Sequence, residues 1–476
     1  MPGCRLHLRI VFPLLALLLI MVAACGGLRP KVSEEELSAL TDEDQALVSL
    51  YLDPGGPATQ KISFELAAIE IGNPDGWLPL SSKPLRVDNA NRGQQQLLTL
   101  AAMPPGDYNR LRLTFSQASV DGRALSMETG GQHLELPIAG KATRNAGDHC
   151  CLFLDWHIGR TAGGVADFFS SFTTRWQSQP LSTDLVCILC DDLRTIYQAR
   201  PDTGWVVAAM RLEDRFGEAA YDPSRRRMYL LGIDSRILQV IDIYTNRVED
   251  AIPLPLTIAP RYLALAPDGH RAYISDPLGN RLVQLNLASG FVEQQQTFNY
   301  RPERIHYLET AAGDLLAVSV PEDQAIHLLN PKTLATVRTI SLNGSPGSLV
   351  TTKGSLYVTD PAAGSIDVYD IQTGNLAVRI QTGRQPMELT THAGNIYVAN
   401  YGDNYLSLIL PRQQHTFRRF QCGGAPIDLE ISTNWQKIYV ANRDARRLTV
   451  IDVHSGIQLV TVPLGGKPRE IVLWEQ

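Results

Sequence analysis

A five-residue strand signature that returns every forty-odd residues constrains this chain more than any other feature. Ile438-Tyr439-Val440-Ala441-Asn442 recurs as Ile396-Tyr397-Val398-Ala399-Asn400, as Leu356-Tyr357-Val358-Thr359-Asp360 and, more loosely, as Ala272-Tyr273-Ile274-Ser275-Asp276. Tyr229 and Ala317 hold the same place in two further copies, so positions 229, 273, 317, 357, 397 and 439 lie 44, 44, 40, 40 and 42 residues apart. A unit repeating at this period cannot bury its apolar face alone and must stack on its neighbours. Thirteen residues after each marker stand Asp242, Asn286, Asn330, Asp370, Leu410 and Asp452. An Asp or Asn there can bond its own backbone two residues on, and a following Gly such as Gly374 or Gly456 takes the positive φ of a tight hairpin, so these acids are assigned to structure. Pro260, Pro302, Pro346, Pro386 and Pro426 precede the markers and open strands, where a missing N–H costs nothing. Four short strands in roughly 42 residues make the blade of a β-propeller.

Six copies leave the count incomplete. Pro468 to Leu473 supplies the first strand of a seventh, and its remainder lies at the other end of the repeat region, in Leu185 to Leu212. Aligning Gly204 with Gly456 places Cys187 on the Tyr439 position and Ile196 on Leu448, and 187 to 229 is again 42 residues. Residues 185–476 are therefore predicted to form a seven-bladed propeller closed by its C-terminal strand, with no free β edge. The Tyr-Val-Ala-Asn strand and the Pro-opened strand before it resemble the YVTN-type propeller repeat family; the copies around Ala317 and Cys187 depart most. That resemblance implies an exported surface or periplasmic protein and names no ligand.

Ahead of the repeats the fold class is also all-β. Arg5 and Arg9 precede an almost wholly apolar run, Ile10 to Ala24, which is short for a membrane span and fits a signal peptide. It ends at Val22-Ala23-Ala24-Cys25-Gly26, which resembles the bacterial lipobox. Residues 1–24 are thus expected to be removed and Cys25 to be lipidated, tying the chain to a membrane; Gly26 after the Cys favours the outer one by family analogy. Residues 25–45 read as a tether, with a helix start at Ser33 and Glu36. Over residues 46–160, Ala46–Asp53, Ile62–Ile71, Leu97–Ala101, Leu111–Phe115, Leu134–Pro137 and Cys151–Trp156 read as strands between Gly/Pro turns, which predicts a β-sandwich. The passage Pro105-Gly106-Asp107-Tyr108 leading into Leu111-Arg112-Leu113 resembles an uncharacterised domain family of bacterial secreted lipoproteins, which implies an immunoglobulin-like or prealbumin-like sandwich. In residues 161–184, Phe168, Phe169, Phe172 and Trp176 fall at near-helical spacing, and this stretch reads as a linker element packed between domains.

The chain carries 43 basic and 49 acidic residues, net −6. Without Arg5 and Arg9 the balance is 41 to 49, net −8. That charge, with no basic run, excludes a phosphate-backbone binder. Five cysteines besides Cys4 and Cys25 would sit in an oxidising compartment, an odd number. The repeat alignment puts Cys187 and Cys190 on one strand, too far apart to bridge. It puts Cys190 and Cys422 near one another on neighbouring blades, which predicts a 190–422 disulfide. Cys150, Cys151 and Cys187, with His149, are the alternative: a thiol or metal cluster if the segment folds back.

Other catalytic patterns are sparse. His270, His306, His327, His392, His415 and His454 scatter over different strands and turns, which argues against copper or haem ligation. No Gly-x-Ser-x-Gly, His-Glu-x-x-His or phosphate loop occurs. Glu303, Glu388, Asp428 and Glu470 follow strand-opening prolines and share a rim, either as solvated loop acids or as a lactonase-like calcium site. No cofactor is expected beyond that calcium. Function reads as a lipid-anchored envelope scaffold that recognises a protein, glycan or small ligand on a propeller face; a metal-dependent hydrolase or oxidoreductase is the alternative. An envelope protein or glycan is the expected partner, and nucleic acid is not.

Overall fold

The structure, a computed structural model, describes residues 34–55, 60–89, 94–127, 131–157, 165–181, 183–310, 313–411, 413 and 415–475. The signal segment, Cys25 and Ser33 lie outside them. The chain divides into two units, residues 1–42 and 43–476. In the first, Glu34–Thr41 is helical. No helix among the described residues is long and apolar enough to cross a membrane.

The second unit holds seven four-stranded sheets, each the size of one repeat. In each blade the marker strand is second from the axis, as in Arg271–Asp276, Ser355–Asp360 and Lys437–Asn442, and is buried almost throughout. The turn acids do what their spacing predicts: the side chains of Asp242, Asn286, Asn330, Asp370 and Asp452 accept backbone N–H bonds two or three residues on. Gly374 and Gly456 take positive φ beside them. Blade one is closed by the chain's last strand. Pro468–Trp474 pairs antiparallel with Leu185–Cys190, Ile471 opposite Ile188 and Val472 opposite Cys187.

The preceding region departs from a sandwich. Ten strands form one sheet, and its main path runs Gly76–Ser81, Ile62–Asn73, Arg110–Val120, Gln132–Ala139, Phe172–Trp176, His149–His157, Ala46–Gly55, Gln96–Met103. Its two ends approach each other, and Thr99 Oγ1 donates to the Leu80 carbonyl at 3.2 Å, so the sheet is a near-closed barrel. What joins the halves is Phe172–Trp176, in the stretch read as a linker. It pairs antiparallel with His149–His157 and parallel with Gln132–Ala139. Spacing of four suits a strand as well as a helix, because even offsets share a strand face. Phe172 and Trp176 accordingly enter the barrel core with Phe64, Phe115, Trp156 and Phe168.

Barrel and propeller share a core. Tyr51, Cys151 and Phe153 pack with Val186, Ile188, Tyr197, Tyr439 and Val462 from blades one and seven. Val206–Arg211, the outer strand of blade one, would present a free edge here, yet two glutamines pair it by side chain. Gln95 accepts from Val206 N at 2.9 Å and donates to its carbonyl at 2.9 Å. Gln177 does the same for Ala209 at 2.9 and 3.1 Å. Each removed amide would leave buried backbone groups unpaired, at about 1–3 kcal/mol per group. Gln95→Ala with Gln177→Ala is therefore expected to lower the melting temperature and abolish hydrogen-exchange protection of the Val206 and Ala209 amides; unchanged protection would refute the pairing.

Candidate functional site

The innermost strands of the blades line an axial channel of about 950 Å³. Just after its opening residue, each of several inner strands slips register against its neighbour, as between Pro386 and Glu388, and between Pro426 and Asp428. Such a bulge re-aims the side chain that follows. Two residues past the opening position, every blade contributes to one ring: Glu470, Glu218, Tyr262, Arg304, Ser348, Glu388 and Asp428, blades one to seven, all on the channel wall. Two residues further along, on the same strand face, a second layer follows: Val472, Ala220, Ala264, His306, Val350, Thr390 and Glu430.

The ring is tied together by bonds between blades. Asp428 accepts from Ile471 N at 2.6 Å, Glu470 from Ala219 N at 2.9 Å, and Glu218 from Leu263 N at 2.8 Å. Arg304 spans the channel, its Nη1 on Glu218 at 2.9 Å and its Nη2 on Glu388 at 3.1 Å. Glu388 also accepts the Ser348 hydroxyl.

Several of the channel's ionisable groups are shifted by their surroundings. Asp428 is pushed up to about 7, by burial and then by the charge of Glu388. Glu430 rises to about 8, by burial and then by Asp428. Glu470 goes well above the ordinary glutamate range through burial and Glu218. Burial raises Glu218 too, against the pull of Arg304. For Arg304 itself burial works against the charge, but Glu388 and Glu218 outweigh it and hold the guanidinium protonated. Burial lowers His306 to about 4, so it is neutral at pH 7.

Between pH 8 and about 6.5 the folded chain takes up protons at Asp428 and Glu430, and the unfolded chain takes up almost none at its ordinary carboxyls. Two histidines offset only part of the difference, so stability rises as pH falls. From about pH 7.5 downward the unfolded chain also protonates His306 and the buried His149, whose folded value is about 3, and this opposes the gain increasingly toward lower pH. The melting temperature is expected to increase from pH 8 to 6.5, with a shallower slope in Glu430→Gln. A melting temperature that climbs from 6.5 to 8 would contradict this.

Of the acids expected on a shared rim, Glu388, Asp428 and Glu470 meet in the ring. Glu303 does not: it stands one residue before Arg304, off the channel wall, near Glu322, Arg261 and Arg301. Glu218, Arg304, Tyr262 and Glu430 belong to the channel and were not anticipated. A count of two from each strand-opening residue would have found the first three. These oxygens do not fit a calcium site. Arg304 holds the position between Glu218 and Glu388, three acids are engaged by backbone N–H groups, and no metal-holding group of His, Cys, Asp or Glu occurs among the described residues.

The cysteines stay apart. Cys150, Cys151, Cys187, Cys190 and Cys422 are all buried free thiols. Cys190 packs between blades seven and one, Cys422 between blades six and seven, so the sheet of blade seven separates the pair expected to bond. Strand alternation turns Cys150 into the barrel core and Cys151 toward the propeller, and Cys187 faces blade two, so no cluster forms. Burial pushes Cys150 up to about 11 and Cys422 to about 12, which makes both inert at neutral pH.

No family model and no curated protein matches this chain. Solved structures match its fold. A protein of unknown function from Desulfotomaculum acetoxidans aligns with a TM-score of 0.52 at 14% identity, over 62% of this chain and 99% of that one. A putative 6-phosphogluconolactonase from Bacteroides fragilis aligns with a TM-score of 0.50 at 13% identity, over 61% of this chain and 98% of that one. At these identities the likeness shows an all-β, seven-bladed propeller and nothing further.

Proposed function

We propose that the protein is a lipid-anchored binding protein of the cell envelope, held through Cys25 at the outer membrane, whose propeller channel recognises a small ligand. The observation that carries this is the ring. Seven near-equivalent backbone positions present Glu, Glu, Tyr, Arg, Ser, Glu and Asp, a set of unlike groups at fixed points around one cavity. A channel needed only for packing would be filled with apolar side chains, as small barrels are; this one keeps charges at depth, where they cost stability. A rigid frame with converging polar groups is the usual architecture of a small-molecule site. The metal-dependent enzyme reading would need its cation where Arg304 lies.

Two measurements test the reading. Cys25→Ala is expected to move the chain from the membrane fraction to the soluble one. For the channel, the full chain purified in detergent is warmed with the dialysable fraction of an envelope extract. An upward shift in melting temperature is expected, and Ala264→Leu or Ala220→Phe, which fill the channel, should remove it. No shift, or one that survives both fillings, overturns the channel as the binding site.

A further inference from the structure

Strand direction sorts the connections of the propeller onto two faces. Strands alternate in direction within a blade, so the links entering the innermost strands and the turns between second and third strands emerge on one face. The remaining turns emerge on the other. Among the described residues, the exposed large apolar side chains of the first face fall in three neighbouring connections. Leu256 and Ile258 lie in the link between Arg247–Pro253 and Tyr262–Leu265, and Leu278 in the turn between Arg271–Asp276 and Arg281–Asn286. Tyr300 lies in the link between Val292–Thr297 and Ile305–Leu308. In that order they are 42%, 56%, 64% and 48% exposed. Hydrogen bonds tie the three connections together. Asp276 accepts from Ile258 N at 2.7 Å and from Ala259 N at 2.8 Å, and Phe298 N donates to the Asn280 carbonyl at 2.8 Å. The four side chains thus share one bonded platform.

We propose, resting on the lipidation of Cys25 inferred above, that this patch seats in the headgroup layer of the bilayer that holds the anchor. An exposed apolar patch marks contact with a protein or a membrane, and two observations favour the membrane. The first is where the tether joins. Glu43 accepts from Arg194 Nη1 at 2.9 Å, in the turn between second and third strands of blade one, and the Gln45 carbonyl accepts from Arg211 Nη1 at 3.3 Å. The chain therefore reaches the propeller on the face that carries the patch. With Glu34–Thr41 helical, the chain from Cys25 to Glu43 spans at most about 45 Å, so this face is the one drawn to the bilayer. The second is charge. Arg261, Arg281, Arg301 and Glu303 flank the apolar residues in the same connections, and Glu322 and Asp323 follow in the next turn round the ring. Three arginines against three acids, with Arg301 paired to Glu322 at 2.6 Å, give no pull toward a polyanion or polycation and suit a zwitterionic headgroup layer. Leu256, Ile258 and Leu278 supply the apolar insertion, and Tyr300 an amphipathic ring of the kind that settles at the interface.

The test uses the full lipid-anchored chain in phosphatidylcholine vesicles, with a spin label on Ile258→Cys or Leu278→Cys. The comparison site is Phe291→Cys on the opposite face, where Phe291 is 74% exposed between third and fourth strands. The native thiols are buried, so the label goes to the introduced one. The ratio of collisions with oxygen to collisions with a water-soluble nickel complex is expected to be about 10-fold higher at the two patch sites than at Phe291→Cys. In Ile258→Asp with Leu278→Asp, a label on Tyr300→Cys should lose that excess while the chain stays on the vesicles. Equal ratios on the two faces overturn the seating. Patch labels screened from both probes overturn it as well, in favour of a second copy of the chain. The two readings fail separately: a chain that does not stay with the vesicles disproves the anchor and the seating with it, whereas an anchored chain with equal ratios loses only the seating.

Discussion

Deletion of residues 468–476 is expected to abolish the folded propeller. The strand Pro468–Trp474 is the sole inner strand of blade one, and it is supplied from the far end of the chain. Ile471 belongs to the core shared by blades seven and one and by the barrel, and Val472 and Trp474 to the core between blades one and two. Trp474 is fully buried, stacked on Tyr221 at 4.5 Å. Burying three such side chains contributes about 1.5–3 kcal/mol each. To this is added the loss of every ladder bond to Leu185–Cys190, and of the Glu470 acceptor for Ala219 N at 2.9 Å. The sum is comparable with the whole stability of a typical domain, about 5–15 kcal/mol. The deletion also bares the apolar strand Leu185–Cys190 as an edge open to pairing between chains. The expected result is aggregation on size-exclusion chromatography and loss of near-ultraviolet circular dichroism. A monomeric, cooperatively melting product would mean that the ring closes in some other way.

That closure was legible in the sequence because it is written in a repeat. Seven copies of one unit over-determine the marker strand, and the partial copies at 185 and 468 are complementary. The channel was only partly legible. Glu388, Asp428 and Glu470 follow Pro386, Pro426 and Pro468, so proline pointed at them. Blade two opens with Phe216, and Glu218 therefore carries no such marker. Glu303 drew attention that belonged to Arg304, because a one-residue error in register moves a side chain to the other strand face. The barrel was misread for a similar reason: Phe172 and Trp176 lie four apart, an offset that helix and strand both satisfy. For Cys190 and Cys422, neighbouring blades did not mean a shared layer, since one full sheet lies between them.

The second large effect is expected from Arg304→Met. Methionine keeps the length and apolar stem of the side chain but withdraws the positive charge that Glu218 and Glu388 share at 2.9 and 3.1 Å. Their carboxylates would then face each other, Asp428 and Glu470 with no fixed cation spanning the ring. Breaking a fully buried ionic cluster by removing one partner costs about 3–5 kcal/mol. Arg304 is 32% exposed and its two carboxylates 19% exposed, so solvent screening brings this to about 2–3 kcal/mol, a fall of roughly 4–8 °C in melting temperature. The loss should depend on pH in a defined direction. Burial already raises Glu218, Asp428 and Glu470, and without Arg304 they rise further. At pH 5 the ring can take up protons and relieve the repulsion, whereas at pH 8 it pays in full. The difference from wild type is therefore expected to be larger at pH 8 than at pH 5. Arg304→Lys, which restores a point charge but not a two-armed fork, should recover part of the loss. Adding Glu218→Gln and Glu388→Gln to Arg304→Met should recover more, because the orphaned charges are then gone. If Arg304→Met melts with the wild type at both pH values, the guanidinium is not the cation that balances the ring.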